Sequence, residues 1–111
     1  MKIARSDKED VVVLQVGGKL MGGTDADTFQ ENLRHILDEG RRKILVDLGD
    51  VSWVNSTGLG ILIAAHAQVE RAGGELKLCK VSRRVESILM VTRLNMIFES
   101  YADEAQALAS F

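Results

Sequence analysis

The sequence predicts an α/β fold: one domain over residues 1–111, with a mixed, mostly parallel central sheet, helices packed on it, and the element order β-β-α-β-α-β-α-β-α. Three observations lead there. "VVVLQV", Val11 to Val16, is β-branched and apolar, as a strand requires. "KILVDL", Lys43 to Leu48, is an almost continuous apolar run, the pattern of a parallel strand covered on both faces. Between and after these runs lie segments of helical periodicity closed by glycine, and strands joined through helices run parallel with right-handed crossovers. At 111 residues the chain is long enough for one core and too short for a second.

In order along the chain, Lys2 to Ser6 is expected to pair with Val11–Val16 across the polar turn Asp7-Lys8-Glu9-Asp10, with Gly17-Gly18 ending the hairpin. Thr24-Asp25-Ala26-Asp27 has the composition of a helix start, and Phe29, Leu33, Ile36 and Leu37 form an apolar stripe that Gly40 closes. Lys43–Leu48 takes the centre of the sheet. A second helix begins at Ser56 or Thr57 and runs to about Ala72, where Gly73-Gly74 stops it. "ELKLC" returns as a strand. Ser82 caps a short helix carrying Val85, Ile88 and Leu89; Asn95 marks its exit, Ile97 to Ser100 forms a last strand, and Asp103 opens a helix to Phe111.

Charge and composition exclude several classes of function. Lys and Arg number 14 against 16 Asp and Glu, a net charge of -2, and the basic residues fall in short pairs such as Arg41-Arg42 and Arg83-Arg84. No basic stripe marks a nucleic-acid surface. The longest apolar stretch, Leu59 to Ala65, is far short of the roughly 20 residues of a membrane span, so no direct membrane insertion is expected. Cys79 is the single cysteine and cannot form an internal disulfide, and the opening "MKIARSDKEDVV" lacks the apolar core of a signal peptide; both point to the cytoplasm. His35 and His66 belong to no motif that places them beside a nucleophile, no Gly-x-Ser-x-Gly elbow exists, and neither a complete dinucleotide loop nor a Walker loop is present. Cys79, His35 and His66 have no metal-ligand spacing. No catalytic residue, metal or cofactor is expected.

The informative stretch is "VSWVNSTGLGILIAA", Val51 to Ala65. Ser56 stands where a central parallel strand hands over to a helix. Backbone N–H groups point outward at such a junction and carry partial positive charge. A phosphate on its hydroxyl would bring about -1.5 to -2 charge to a place that favours anions. Asn55-Ser56-Thr57 has a second reading, simply as the cap that starts a helix. The residues that follow separate the two. Leu59, Leu62, Ile63 and His66 define one helical face, yet Ile61, Ala64 and Ala65 leave the opposite face apolar as well, so neighbours must cover it or a partner must dock there. Gly58 and Gly60 each weaken a first turn by about 1 kcal/mol relative to alanine, for which close approach of another backbone or group is a physical reason.

Asn55-Ser56-Thr57-Gly58-Leu59-Gly60 resembles the Asp-Ser-Ser/Thr-Gly-Leu-Gly signature of the STAS family, the anti-sigma factor antagonists. The lead-in Leu48-Gly49-Asp50-Val51-Ser52-Trp53-Val54 is similar to the family's strand and loop, "VGGKL" to its Gly-x-Leu turn, Thr24 to its first-helix threonine, and "AGGELKLCKVS" to its glycine-ended helix and fourth strand. The resemblance implies a single STAS-like domain acting as a partner switch and not as an enzyme. It further implies that the serine equivalent to Ser56 is phosphorylated by an anti-sigma factor that is also a serine kinase. The unmodified form would sequester that kinase and free the sigma factor, and a PP2C-type phosphatase would reset the switch. The surface expected to meet the partner comprises Met21, Gly22, Gly23 and Thr24 with Asn55, Thr57, Gly58, Leu59 and Gly60 around Ser56.

Two positions depart from the family pattern: Asn55 replaces the aspartate before the serine, and Met21 replaces the acid after the Gly-x-Leu turn. Each lost carboxylate about 6 Å from a phosphoserine removes a repulsion of order 0.7 to 3 kcal/mol. It also removes any kinase contact that used those acids. Met21 either faces a partner or folds inward, and Trp53 either anchors a partner or forms a lid over the first helix. The alternative function is a non-phosphorylated STAS subunit that supports a membrane transporter or a multi-protein signalling scaffold.

Overall fold

A computed structural model describes residues 1–111. Strands β1 (Lys2–Lys8) and β2 (Val11–Leu20) form an antiparallel hairpin, followed by α1 (Asp25–Asp38), β3 (Lys43–Val54) and α2 (Ser56–Arg71). The chain continues through β4 (Glu75–Cys79), α3 (Arg83–Val91), a 3-10 turn at Leu94–Met96, β5 (Ser100–Tyr101) and α4 (Glu104–Ala109). The five strands lie in the order β1-β2-β3-β4-β5, and every pair after the hairpin is parallel. This is the mixed, mostly parallel sheet that the sequence predicts.

The strands around the centre are longer than their apolar runs. Gly17-Gly18 does not end β2; it lies in an irregular stretch where the register against β3 shifts between Gln15 and Gly17 and again between Gly18 and Lys19. β2 thereby continues to Leu20, and β3 keeps pairing past Leu48 as far as Val54, with Val51 and Val54 turned inward. The hairpin turn is also tighter than expected: Lys8 pairs with Val11, and Glu9 between them adopts a φ of 59°.

The last strand requires a correction. Ile97 to Ser100 is not a strand, because the chain folds into the 3-10 turn and the amides of Ile97 and Phe98 both donate to the carbonyl of Leu94, at 2.9 and 3.0 Å. Phe98 is buried as a single anchor while Ile97 is exposed, and only Ser100 and Tyr101 reach the register of β4. The C-terminal helix starts after Asp103, whose carboxylate accepts from the Gln106 amide at 2.8 Å, and ends at Ala109, before Phe111.

The two faces of the sheet are unequal. Val12, Leu14, Ile44, Val46, Leu76 and Leu78 point to the face covered by α1, α2 and α3, where they meet Phe29, Leu33, Ile36, Leu62, Val69, Val85 and Leu89. Each such side chain taken from water contributes roughly 1.5–3 kcal/mol. Val11, Val13, Leu45 and Cys79 point the other way, under Ala107 of α4 alone among the helices. With four parallel strands, the carboxyl ends of β3 and β4 lie on one edge, and both hand over there to the starts of α2 and α3.

Candidate functional site

Ser56 is the first residue of α2 and is exposed. The cap belongs to its neighbour: Asn55 is extended, and its side-chain oxygen accepts from the Gly58 amide at 2.8 Å while its backbone carbonyl accepts from the Leu59 amide at 2.9 Å. Asn55 therefore satisfies two donors of the first turn, and the amides of Ser56 and Thr57 remain at the open end. No acidic residue lies in that turn. The cap chemistry and the free hydroxyl are thus divided between two residues.

The loop after β2 is fastened to the same helix end. The Asn55 amide donates to the Leu20 carbonyl at 3.4 Å, and the Asn55 side-chain nitrogen donates to the Met21 carbonyl at 3.2 Å. Gly58 explains its own presence: a Cβ there would lie 1.9 Å from the Leu20 carbonyl oxygen, inside any allowed contact, so only glycine lets the helix start against β2. Gly22 has a φ of +113°, and a Cβ on it would lie 2.7 Å from the Thr57 methyl. Gly60 meets nothing, so the close approach that explains Gly58 does not apply to it.

The residues expected to meet a partner therefore separate. Met21, Gly23, Thr24, Ser56, Thr57 and Gly60 are exposed, whereas Gly58 and Leu59 are buried and shape the platform from beneath. Met21 takes the outward orientation, 44% exposed. Thr24 precedes α1 but its hydroxyl makes no cap; instead its carbonyl accepts from Thr28, and Asp25 accepts from the Met21 amide at 3.4 Å. On α2 the buried stripe is Leu59, Ile61, Leu62, Ala65 and Val69, so Ile63 leaves the expected inner face for solvent. Ser56, Gly60, Ile63 and Ala64 then form an exposed strip at helical spacing, apolar directly behind the hydroxyl.

Trp53, 37% exposed, is not a lid over α1; the guanidinium carbon of Arg84 at the start of α3 lies 4.0 Å from its ring centroid. At the Ser56 edge, this pairing and the Leu20 carbonyl are two features that sequence reasoning missed. The first had a signal in the Arg83-Arg84 pair, whose location in the fold was hidden. The second is a backbone atom, which no residue type marks. Met90 and Val91 at the end of α3, and Met96 and Ile97 at the 3-10 turn, are further exposed apolar residues that the sequence did not single out. His35 and His66 lie elsewhere: His35 faces Glu31 at 3.2 Å, and His66 sits edge-on to Phe98 with ring centroids 5.3 Å apart. Burial foremost, and the nearby charge of Asp47, push the Cys79 thiol up to about 12, away from reactivity. No group of three or more His, Cys, Asp or Glu side chains could hold a metal ion, and no helix is long and apolar enough to cross a membrane.

Comparison with known proteins gives this geometry a family. The STAS domain profile matches residues 2–107. The anti-sigma-B factor antagonist of Bacillus subtilis strain 168 is 32% identical over 74 residues, covering 67% of this chain and 67% of that protein. The phosphorylated form of the Bacillus cell-fate determinant SpoIIAA has the same fold, with a TM-score of 0.74 at 16% identity over 98% of both chains. A sulfate transporter family protein from Wolinella succinogenes shares it too, with a TM-score of 0.80 at 21% identity over 93% of this chain and 85% of that one. The profile spans the hairpin, the loop at Met21 and the Ser56 platform together, and the chain belongs to the STAS domain family.

Proposed function

We propose that the chain is an anti-sigma factor antagonist of the cytoplasm whose affinity for an anti-sigma factor with serine kinase activity is set by phosphorylation of Ser56. The observation that carries this reading is an exposed hydroxyl at the start of α2, released from capping by Asn55 and backed by an exposed apolar strip. The unmodified protein binds the kinase through the Met21–Thr24 loop, Thr57, Gly60 and Ile63, with Asn55, Gly58 and Leu59 holding that surface in shape. Attack of the Ser56 Oγ on the γ-phosphorus of ATP forms the phosphoester, breaks the bond to the bridging oxygen and releases ADP and a proton. The phosphate brings about -1.5 to -2 charge and a hydration shell into the centre of an apolar contact, which expels the partner. The helix end tolerates that charge, so the fold survives the modification. A PP2C-type phosphatase restores the starting state. In this cycle the chain is substrate and binding partner, and it catalyses nothing.

Incubation with the anti-sigma kinase of the same cell and ATP is expected to add the mass of one phosphate to the wild type and none to Ser56→Ala. Ser56→Asp is expected to bind that kinase roughly tenfold or more weakly than the wild type, and Ser56→Ala about as well. A mass gain retained in Ser56→Ala, or affinity indifferent to the aspartate, overturns the switch. The second reading, a subunit that supports a membrane transporter with Ser56 never modified, draws on the loss of both family carboxylates at Asn55 and Met21. It expects no mass gain in the same assay.

A further inference from the structure

The start of α3 lies on the same edge of the sheet as Ser56, since β3 and β4 run parallel and each passes into its helix there. Trp53 precedes Ser56 by three residues and is therefore within about 11 Å of it along the chain. Arg84 lies over the Trp53 ring at 4.0 Å, which immobilises a side chain that is otherwise free to sample many rotamers. A contact with the ring uses none of the guanidinium's N–H donors in a hydrogen bond, so its fork is left available. That fork has no acid to meet. Arg5, Arg34 and Arg41 each find a carboxylate, whereas Arg42, Arg71, Arg83, Arg84 and Arg93 find none, and of these five Arg84 alone lies over an aromatic ring. The position of Arg83 and Arg84 adds to the imbalance, because cations in the first turn of a helix face its positive end, and only Glu86 in that turn opposes them. The chain thus holds two cations in an arrangement that is electrostatically incomplete, and fixes one of them beside the proposed switch.

We propose that the Trp53–Arg84 pair is a docking element that receives a carboxylate-bearing segment of the anti-sigma factor next to Ser56. The planar fork takes a carboxylate through two parallel hydrogen bonds, and the exposed part of the Trp53 ring covers the apolar stem of the same side chain. This rests on the antagonist reading above, in which the partner binds the unmodified chain. In that state neither the first turn of α2 nor any salt bridge offers Arg84 an acid, so the partner supplies it. The charge has a specificity role as well: a partner surface with Lys or Arg at this point is rejected.

The test measures binding of the full chain to the purified anti-sigma kinase used for the Ser56 assay, without ATP, at low and high salt. Wild type, Arg84→Ala, Arg84→Lys and Ser56→Asp are compared, with Trp53 fluorescence as a local reporter because it is the single tryptophan. Arg84→Ala is expected to bind about tenfold more weakly, with a flatter salt dependence. Arg84→Lys is expected to regain only part of the affinity, since an ammonium lacks the fork and the stack. The melting temperature of Arg84→Ala should not fall, which separates docking from folding. If Arg84→Ala binds like the wild type while Ser56→Asp loses affinity, the docking element is overturned and the antagonist reading stands. If Arg84→Ala instead restores binding to Ser56→Asp, Arg84 reads a charge of its own chain, and the docking assignment is again overturned. If the wild type does not bind the kinase at all, both readings fall.

Discussion

At Gly58 a single hydrogen atom decides whether the site can form. The Leu20 carbonyl oxygen would lie 1.9 Å and its carbon 2.8 Å from an added Cβ, and both belong to backbone held by the Asn55 amide, so neither can swing aside. Gly58→Ala is therefore expected to destabilise the fold by about 2–4 kcal/mol, despite the better helix propensity of alanine. Gly60→Ala, with open space around it, is expected to be neutral or to stabilise by up to about 1 kcal/mol. Thermal denaturation of the two variants distinguishes them, and equal shifts would refute the contact with β2. In the sequence the two glycines look alike, two positions apart in one motif. What separates them is a carbonyl delivered by β2, which becomes visible only when the strands are in register. The same limit applies at Asn55 and Ser56: three polar residues before an apolar run signal a helix start, but the assignment of cap to one and open hydroxyl to the next depends on backbone angles.

Among the elements, helices were legible because their apolar periodicity and caps are local, and Asn55, Ser82 and Asp103 all cap the helices they precede. Strand ends were less so. Gly17-Gly18 reads as punctuation, yet it lets β2 shift register and continue to Leu20, carrying the Met21 loop to the site. Ile97–Ser100 reads as a strand by residue type, yet local hydrogen bonds to Leu94 win. The hairpin is also fastened by charges that no local pattern links: Arg5 donates to both Glu39 carboxylate oxygens at 2.7 Å, while Asp7 accepts from Arg5 and from Arg41. Hydrogen bonds from Arg5 hold the Glu39 carboxyl below its ordinary range. A depressed folded pKa means that the unfolded chain binds the proton more readily. The contribution is thus present above the ordinary carboxylate pKa and is lost as pH falls through the folded value. Glu39→Gln is expected to be slightly less stable than wild type in urea at pH 7, with the gap closing below about pH 4 and shrinking in high salt. A gap that does not shrink as pH falls would assign the loss to packing.

Across the whole molecule, the sheet separates a heavily covered face that supports the site from a lightly covered one that does not. Three helices pack on the first, whereas the second is closed by the six-residue α4 and the segment after it. That closure depends on Lys77, whose buried ammonium donates to the Ser110 carbonyl at 2.7 Å and its hydroxyl at 3.0 Å, pairs with Glu99 at 3.0 Å and lies 4.7 Å from the Phe111 ring. A buried cation with this many partners is costly to strip of any of them. So few apolar side chains hold α4 that it is expected to open before the rest of the fold. Cys79 lies beneath it and reports the opening, since its thiol is fully buried and held protonated when α4 is docked. Lys77→Met keeps the stem and removes the donor. It is expected to raise the native-state rate of thiol labelling by roughly tenfold while moving the urea midpoint little, because the larger core is untouched. Labelling that accelerates only in proportion to the loss of global stability would show that α4 and the three-helix face unfold together. Under the proposed switch, binding to the anti-sigma kinase should be unchanged in Lys77→Met, as the Ser56 edge draws its geometry from β2, β3 and α2, with α2 on the face of the sheet opposite α4.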